Sequence, residues 1–333
     1  MARSIVNQAF YIQPEVIPGT AAVDAMKRYL GLKLMPGWTN QTQEFKASGY
    51  KVNTTTQVLS EQGTHTVETL QDYNALLPIL ASVLTYDGAT QPDPTNAPNA
   101  YEHTFHLEAA AADDLQTYTG MWGDTTQAIQ LLHLVFNSLS FNVQRGSLTL
   151  DTSAISYEPT TGATLPATGT TTIQSVPIPA RSYNVYIDDT WAALGTTQAT
   201  ALYEWGLTIG DKRTVDSPIN SAITSFESLV ENEDIEHSGS MRAGFDTTAT
   251  GLIADYKAGD EKFIRVASTG PLIGTGVNYE LEVNESTVLQ SVGDIGTAPN
   301  SPVVTLPFNY LLMPDAVSEN TLTVRLVNTV SEL

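Results

Sequence analysis

The chain has no cysteine among its 333 residues. Disulfides, thiolate nucleophiles and cysteine-ligated metal sites are therefore excluded. Basic residues are also few: 15 Lys and Arg stand against 36 Asp and Glu, for a net charge of −21. Such a surface repels nucleic acid and anionic lipid. No long apolar run is present. The most apolar stretch, Ile129 to Phe136, is too short to cross a bilayer, and Met1 to Ile12 carries one Arg and no apolar run of signal-peptide length. The GxSxG elbow, the Walker loop, GxGxxG and HExxH are all missing.

What is there reads as a folded, mainly β protein. The apolar fraction is 41% and the charged fraction 15%, unlike a disordered chain. A chain of about 300 residues buries roughly 75% of its unfolded surface, so a core needs no staples. Alternating or β-branched runs recur, among them Gly49–Leu59, His65–Leu70, Tyr101–Leu107, Ser138–Val143, Tyr203–Ile209, Tyr279–Val283, Val303–Leu312 and Thr321–Val327. Turn residues separate them, as at Gln144-Arg145-Gly146 and Gly210-Asp211. Helical spacing is confined to Asp72–Leu84, where Asp72 is an N-cap and Pro78 implies a kink, to Asp124–Val135 capped by Asp124, and to Thr248–Lys257.

Composition divides the chain into an N-terminal arm (1–32), a first β lobe with a helix (33–157), a Thr/Pro/Gly-rich linker (158–181) and a second β lobe (182–333). Each lobe is expected to be a sandwich or barrel with short flanking helices. Trp38 and Trp205, 167 positions apart (205 minus 38), each precede a long polar β region, Gln41–Thr69 and Ile219–Phe245. This suggests an internal duplication.

Candidate chemistry is sparse. His103 and His106 look like a metal pair, but three residues apart on a strand they face opposite ways, which reads as exposed or edge histidines. Glu227, Glu231, Glu233, Asp234 and Glu236 lack the spacing and glycine of a calcium loop. Asp113-Asp114 and Asp188-Asp189 read as turn carboxylates. A two-carboxylate hydrolase needs only a pair such as Glu227 with Glu282. No catalytic residue, metal site or cofactor is expected.

The run Gln13-Pro14-Glu15-Val16-Ile17-Pro18-Gly19-Thr20-Ala21 resembles the E-x-x-x-G-T-A opening of the tail tube proteins of long-tailed bacteriophages. Glu68-Thr69-Leu70 followed by the Asp72–Leu84 helix is similar to their mid-domain helix after a long hairpin. His103–Leu107, Gln116-Thr117-Tyr118 and Ser138–Val143 resemble their strand pattern, and Arg181–Ile187, Tyr203–Arg213 and Phe226–Glu236 also fit. The resemblance implies a structural virion protein that is not an enzyme. Its rings would stack into a tube that encloses a tape measure protein during assembly and then passes double-stranded DNA without specific binding. Tail terminator and baseplate proteins would be its other partners, and no membrane is involved. The protein would be made in the host bacterial cytoplasm and end in the phage tail. Two lobes per chain favour a trimeric, pseudo-sixfold ring over a hexamer. The long polar regions would form the channel wall, with Glu44, Glu61, Glu227 and Glu231 as lumen charges. Phe10, Tyr11, Ile12 and Val16, with the loop Asp87–Ala100, would make contacts between subunits. The alternative is another β-rich virion protein or adhesin, such as a baseplate or fibre module.

Overall fold

A computed structural model of the chain describes residues 8–144, 147–166, 169–218, 225–232, 237–298 and 302–333. The sequence-expected turn at Arg145-Gly146, the first part of Ile219–Phe245 and the acidic residues Glu233, Asp234 and Glu236 lie outside these described residues. Alternation of apolar and polar side chains dominates, and strands follow from it.

The first third of the chain forms β1 (Ala9–Pro14), β2 (Lys27–Tyr29), β3 (Leu32–Met35), β4 (Trp38–Phe45), β5 (Thr55–Thr69), helix α1 (Leu76–Val83), β6 (Thr85–Thr90) and β7 (Tyr101–His106). Next come β8 (Tyr118–Gly123), β9 (Ala128–Phe136), β10 (Leu139–Gln144), β11 (Ser147–Asp151), β12 (Ser153–Ser156), β13 (Thr160–Ala163) and β14 (Thr171–Ile173). The remainder gives β15 (Tyr183–Asp188), β16 (Leu202–Ile209), β17 (Arg213–Asp216), β18 (Ser228–Glu231), β19 (Ser238–Gly244), α2 (Thr247–Ala258) and β20 (Glu261–Gly274). The last strands are β21 (Val277–Val292), β22 (Gly296–Thr297), β23 (Val304–Leu312) and β24 (Leu322–Asn328).

Two large sheets result. A 10-stranded sheet runs β14-β2-β1-β8-β9-β12-β5-β3, with β13 on β9 and β4 on β5. A 12-stranded sheet runs β11-β10-β16-β19-β23-β21-β24-β7-β6; β20 joins β21 to β15, and β22 pairs β23. Strands β17 and β18 form a separate ribbon. The fold is mainly β, as the sequence implies.

The sheets do not divide as the chain does. β6, β7, β10 and β11 come from the first half yet pair with strands of the second half: β7 with β24, and β10 with β16. One core joins both sheets, from Phe10 to Val330. Every residue of α1 is buried, and the helix touches β9 of one sheet and β6 and β7 of the other. Segment 158–181 is stitched down by β13 on β9 and by β14 running parallel to β2. Further along, Asp72 Oδ2 accepts from Ser175, and Ile178 N–H donates to the Gln71 carbonyl. Trp38 and Trp205 occupy unlike places. Trp205 is buried in a mid-sheet strand, whereas Trp38 is half exposed on a strand with one neighbour.

Both end helices of the sequence reading are present. Asp72 Oδ1 accepts from Asn74 and Ala75 N–H at 2.9 Å ahead of α1. Pro78 is the third residue of α1; just ahead of it Leu76 N–H already donates to the Asp72 carbonyl and Leu77 N–H to that of Asn74. In α2, Asp246 caps the start and Gly259, left-handed at φ 72°, ends it. Asp124–Val135 is a correction: it folds as a tight turn and β9. Asp124 Oδ1 accepts from Thr126 and Gln127 N–H, the bonds it would make at a helix start, but here they close the β8–β9 hairpin.

Strand β21 carries an unexpected residue in the core. Leu281, Val283, Glu285, Thr287 and Leu289 share one alternation, and Glu285 is fully buried. The Tyr310 hydroxyl of β23 donates to its Oε2 at 2.7 Å. Gly239 of β19 leaves the space that the Tyr310 ring fills; a Cβ there would stand 2.1 Å from it. Burial pushes the Glu285 carboxyl up to about 8, against the opposing pull of the Tyr310 hydrogen bond. An acid held above its unfolded value binds a proton in the folded state that the unfolded chain has released. Its favourable contribution is complete below the ordinary carboxylate range and is lost as pH rises towards 8, at up to about 1.4 kcal/mol per pH unit. Glu285→Gln should therefore flatten the fall in stability between pH 5 and 8, and be more stable than the parent at pH 8. Urea melts across that range check both points.

Candidate assembly surface

Strand β4 pairs with β5 from Trp38↔Gly63 to Phe45↔Thr55. β3 continues β4 along the same edge of β5, from Met35↔Thr66 to Leu32↔Thr69, and the other edge is paired by β12 from Gly63 to Thr66. Among the described residues, no strand pairs the outer edge of β4 or the second edge of β5 over 55–62, so the ribbon 38–62 is open at both edges. Both faces are also wet: all of β4 and the first residues of β5 are exposed, as is most of the 46–54 tip. The tip is closed by Thr54 N–H donating to the Phe45 carbonyl at 2.8 Å and by a short hydrogen bond from Asn53 to Glu44. An isolated two-stranded ribbon is at best marginally stable in water, and open edges invite pairing with another chain.

The two faces differ. Trp38, Asn40, Thr42 and Glu44 lie on one face, opposite Gly63, Glu61, Val58 and Thr56. Thr39, Gln41, Gln43 and Phe45 lie on the other, opposite Gln62, Ser60, Gln57 and Thr55. The second face is uncharged. The first carries both Glu44 and Glu61, and Trp38 anchors its root by donating to the Pro159 carbonyl at 3.2 Å. Glu158 stands beside Glu61. Loss of solvent, then the hydrogen bond with Glu61 and its negative charge, raise the Glu158 carboxyl.

The other carboxylate candidates sit elsewhere. Glu227 is exposed just before β18, with its carbonyl 3.5 Å from the Tyr157 hydroxyl. Glu231, expected as a lumen charge, is drawn inward. It lies 3.3 Å from Lys212 and 3.6 Å from Arg213, and Lys212 also makes a close ion pair with Asp113. Lys212 is only 2% exposed, so two cations and two carboxylates neutralise one another out of water. Asp113 is thus a buried ion-pair partner that also closes its own loop, its Oδ1 accepting from Glu108 N–H. Burial pushes its carboxyl up, but Lys212 and hydrogen bonds from Glu108 N–H and Thr85 outweigh this and hold it low. Asp188 does act as a turn carboxylate, accepting from Gly195, Thr196 and Thr197. Glu282 is paired with Arg265 at 3.3 Å.

His103 and His106 point to opposite faces of β7, but His103 is buried, a correction to its edge reading. It bonds the Tyr86 hydroxyl, Asn328 and the Val330 carbonyl, while His106 meets Asp87 and Glu108 outside. Among the described residues, no group of three or more His, Asp or Glu is placed to hold a metal ion.

The N-terminal candidates need correction too. β1 is an inner strand, paired with β8 over its whole length and with β2 on its other side. Phe10 and Ile12 are buried in the chain's own core, and Tyr11 packs beside Met26 and Met121. Val16 alone of the four projects, 96% exposed. The cause is Glu15. Its buried carboxylate accepts from Gly19 N–H at 2.7 Å, the hydroxyls of Thr117 and Thr119, and His133 N–H. The Glu-x-x-x-Gly spacing is thus a turn tied to β8 and β9, with Val16 and Ile17 at its crest. Gly19 is left-handed at φ 78°, and a Cβ there would lie 2.7 Å from the Tyr157 ring.

Gly19→Ala should cost more than about 1 kcal/mol in a urea melt, from left-handed strain plus the ring contact. In hydrogen exchange on dilute protein, the amides of 38–62 should exchange at least about tenfold faster than those of β21, because the ribbon lacks a packed face. Equal protection of ribbon and β21 would show that the ribbon is stable by itself.

No protein-family model matches the chain, and no curated protein is significantly similar to it.

Proposed function

We propose that this chain is a structural subunit that assembles with copies of itself into stacked rings, forming a tail tube of a long-tailed bacteriophage. The observation that carries the reading is the β4–β5 ribbon, open at both edges and both faces over 38–62. Neighbouring copies can pair such edges, and a closed arrangement removes them altogether. Resemblance of the Glu15–Ala21 opening, the acidic composition and the lack of cysteine support the phage assignment. In this reading the protein has no catalytic role. Its partners are a tape measure protein during assembly, and the tail terminator and baseplate proteins at the tube ends.

The face holding Glu44 and Glu61 suits a channel wall. Its carboxylates repel a DNA backbone that passes close by, over about 8 Å at physiological salt. The uncharged Gln and Thr face, with the open edges, suits contact with a neighbour. The trimeric, pseudo-sixfold ring implied by two like lobes has no such lobes to rest on, because β10 and β7 of the first half pair with β16 and β24 of the second, and ring order is read from tube cross-sections.

Concentrated purified protein should give hollow tubes in negative stain, with cross-sections showing the ring symmetry. Tubes of the Glu44→Lys/Glu61→Lys double variant should retain double-stranded DNA in a filter-binding assay, where parent tubes do not. Persistent monomers would overturn the tube reading. Variant tubes that ignore DNA would overturn the lumen assignment alone.

A further inference from the structure

Most basic side chains in the described residues are already used within the chain. Lys33, Lys212, Arg213, Arg242, Lys262, Arg265 and Arg325 sit in ion pairs. Lys27 donates to the carbonyls of Glu332 and Leu333. Among the described residues Arg28, Lys46, Lys51, Arg181 and Lys257 have no ion-pair partner, and of these Lys46 and Lys51 stand together at the exposed tip of the ribbon. Around them Phe45, Tyr50 and Val52 are 64%, 61% and 70% exposed. In a chain of net charge −21, the far end of the ribbon is a small cationic, apolar head.

A cleft of opposite character lies on the other sheet. It has a volume of about 830 Å³ and is lined by Asp189, Asp255, Asp260, Glu261 and Asp315, with Lys262 as its one cation. Lys262 is already shared by Asp189 at 2.5 Å and Asp255 at 3.1 Å, so the cleft keeps surplus negative charge. Its wall is also apolar. Trp191 stands edge-on to Phe263, ring centres 6.2 Å apart, and Val317 is largely exposed beside it. A tryptophan beside carboxylates attracts an ammonium by both charge and ring quadrupole.

Resting on the assembly reading above, we infer that the 45–52 tip of one copy docks into the Trp191 cleft of a second copy. Lys46 and Lys51 meet the free carboxylates of Asp260 and Glu261, and Phe45, Tyr50 and Val52 cover Trp191 and Val317. The occupant is a copy of this chain because both halves of the match, cationic–apolar tip and acidic–apolar cleft, are carried by the same molecule. Tip and cleft are different patches, so the contact is heterologous and propagates from copy to copy, closing a ring or extending a stack.

Charge exchange and cross-linking test it. K46E/K51E and D260K/E261K should each raise the concentration needed for assembly about tenfold or more, because like charges then face one another across the contact. The quadruple variant should recover assembly to near the parental concentration, since the charges are opposite again. As the parent has no cysteine, oxidation of K51C/D260C should join chains into a ladder on a non-reducing gel, whether or not the charge variants fold well. Either pair assembling like the parent, a quadruple variant worse than both pairs, or no ladder from assembled protein overturns the docking while leaving the assembly reading intact. A parent chain that never assembles overturns both.

Discussion

Every backbone edge in a β protein must be paired, covered or left for another chain, and this constraint organises the fold. Most edges are met inside the molecule. The first half lends β6, β7, β10 and β11 to a sheet otherwise made by the second half, and α1 fills the space between the two sheets. Segment 158–181, which reads as a free linker by composition, is used as strands β13 and β14 and as a clasp at Asp72. The ribbon 38–62 is the long stretch of paired strand left with open edges and no packed face. A chain that invests so many residues in it gains little unless something else completes it.

The charges follow a similar division. Inside, cations and carboxylates are balanced and held, as in the Asp113–Lys212–Glu231–Arg213 group. Burial raises the carboxyl of Glu285 in the core, where the Tyr310 hydroxyl donates to it. Outside, the ribbon shows carboxylates on one face and, at its tip, two lysines with no ion-pair partner among the described residues. The net acidity of the chain is thus compatible with a local cationic contact, which average composition conceals.

The strands themselves were legible because alternation with period two is a local signal, and α1 and α2 because apolar spacing and caps are local too. The misassigned helix at Asp124–Val135 has an equally local cause: an Asp side chain caps a hairpin turn with the same hydrogen bonds it offers a helix. What sequence could not show is where strands go. Phe10 and Ile12 look like an unpartnered apolar arm until β8, more than a hundred residues on, pairs with them. Glu231 looks solvated until Lys212 and Arg213 fold beneath it. Glu285 could have been found, since Leu281, Val283, Thr287 and Leu289 set its alternation, but an isolated Glu in an acidic chain gives no warning. The Glu15–Gly19 spacing was visible as a motif; its role as a tied turn needed Thr117, Thr119 and His133 in place.

The claim on which the rest depends is that the ribbon is completed by other copies of the chain. It is tested most directly by replacing 40–61 with an Asn-Gly turn, which joins Thr39 to Gln62 as a short hairpin, and following light scattering against concentration beside the parent. The account requires the parent to polymerise and the shortened chain to remain a monomer with an unchanged core melting transition. Equal scattering from the two chains, whether both assemble or neither does, would contradict it.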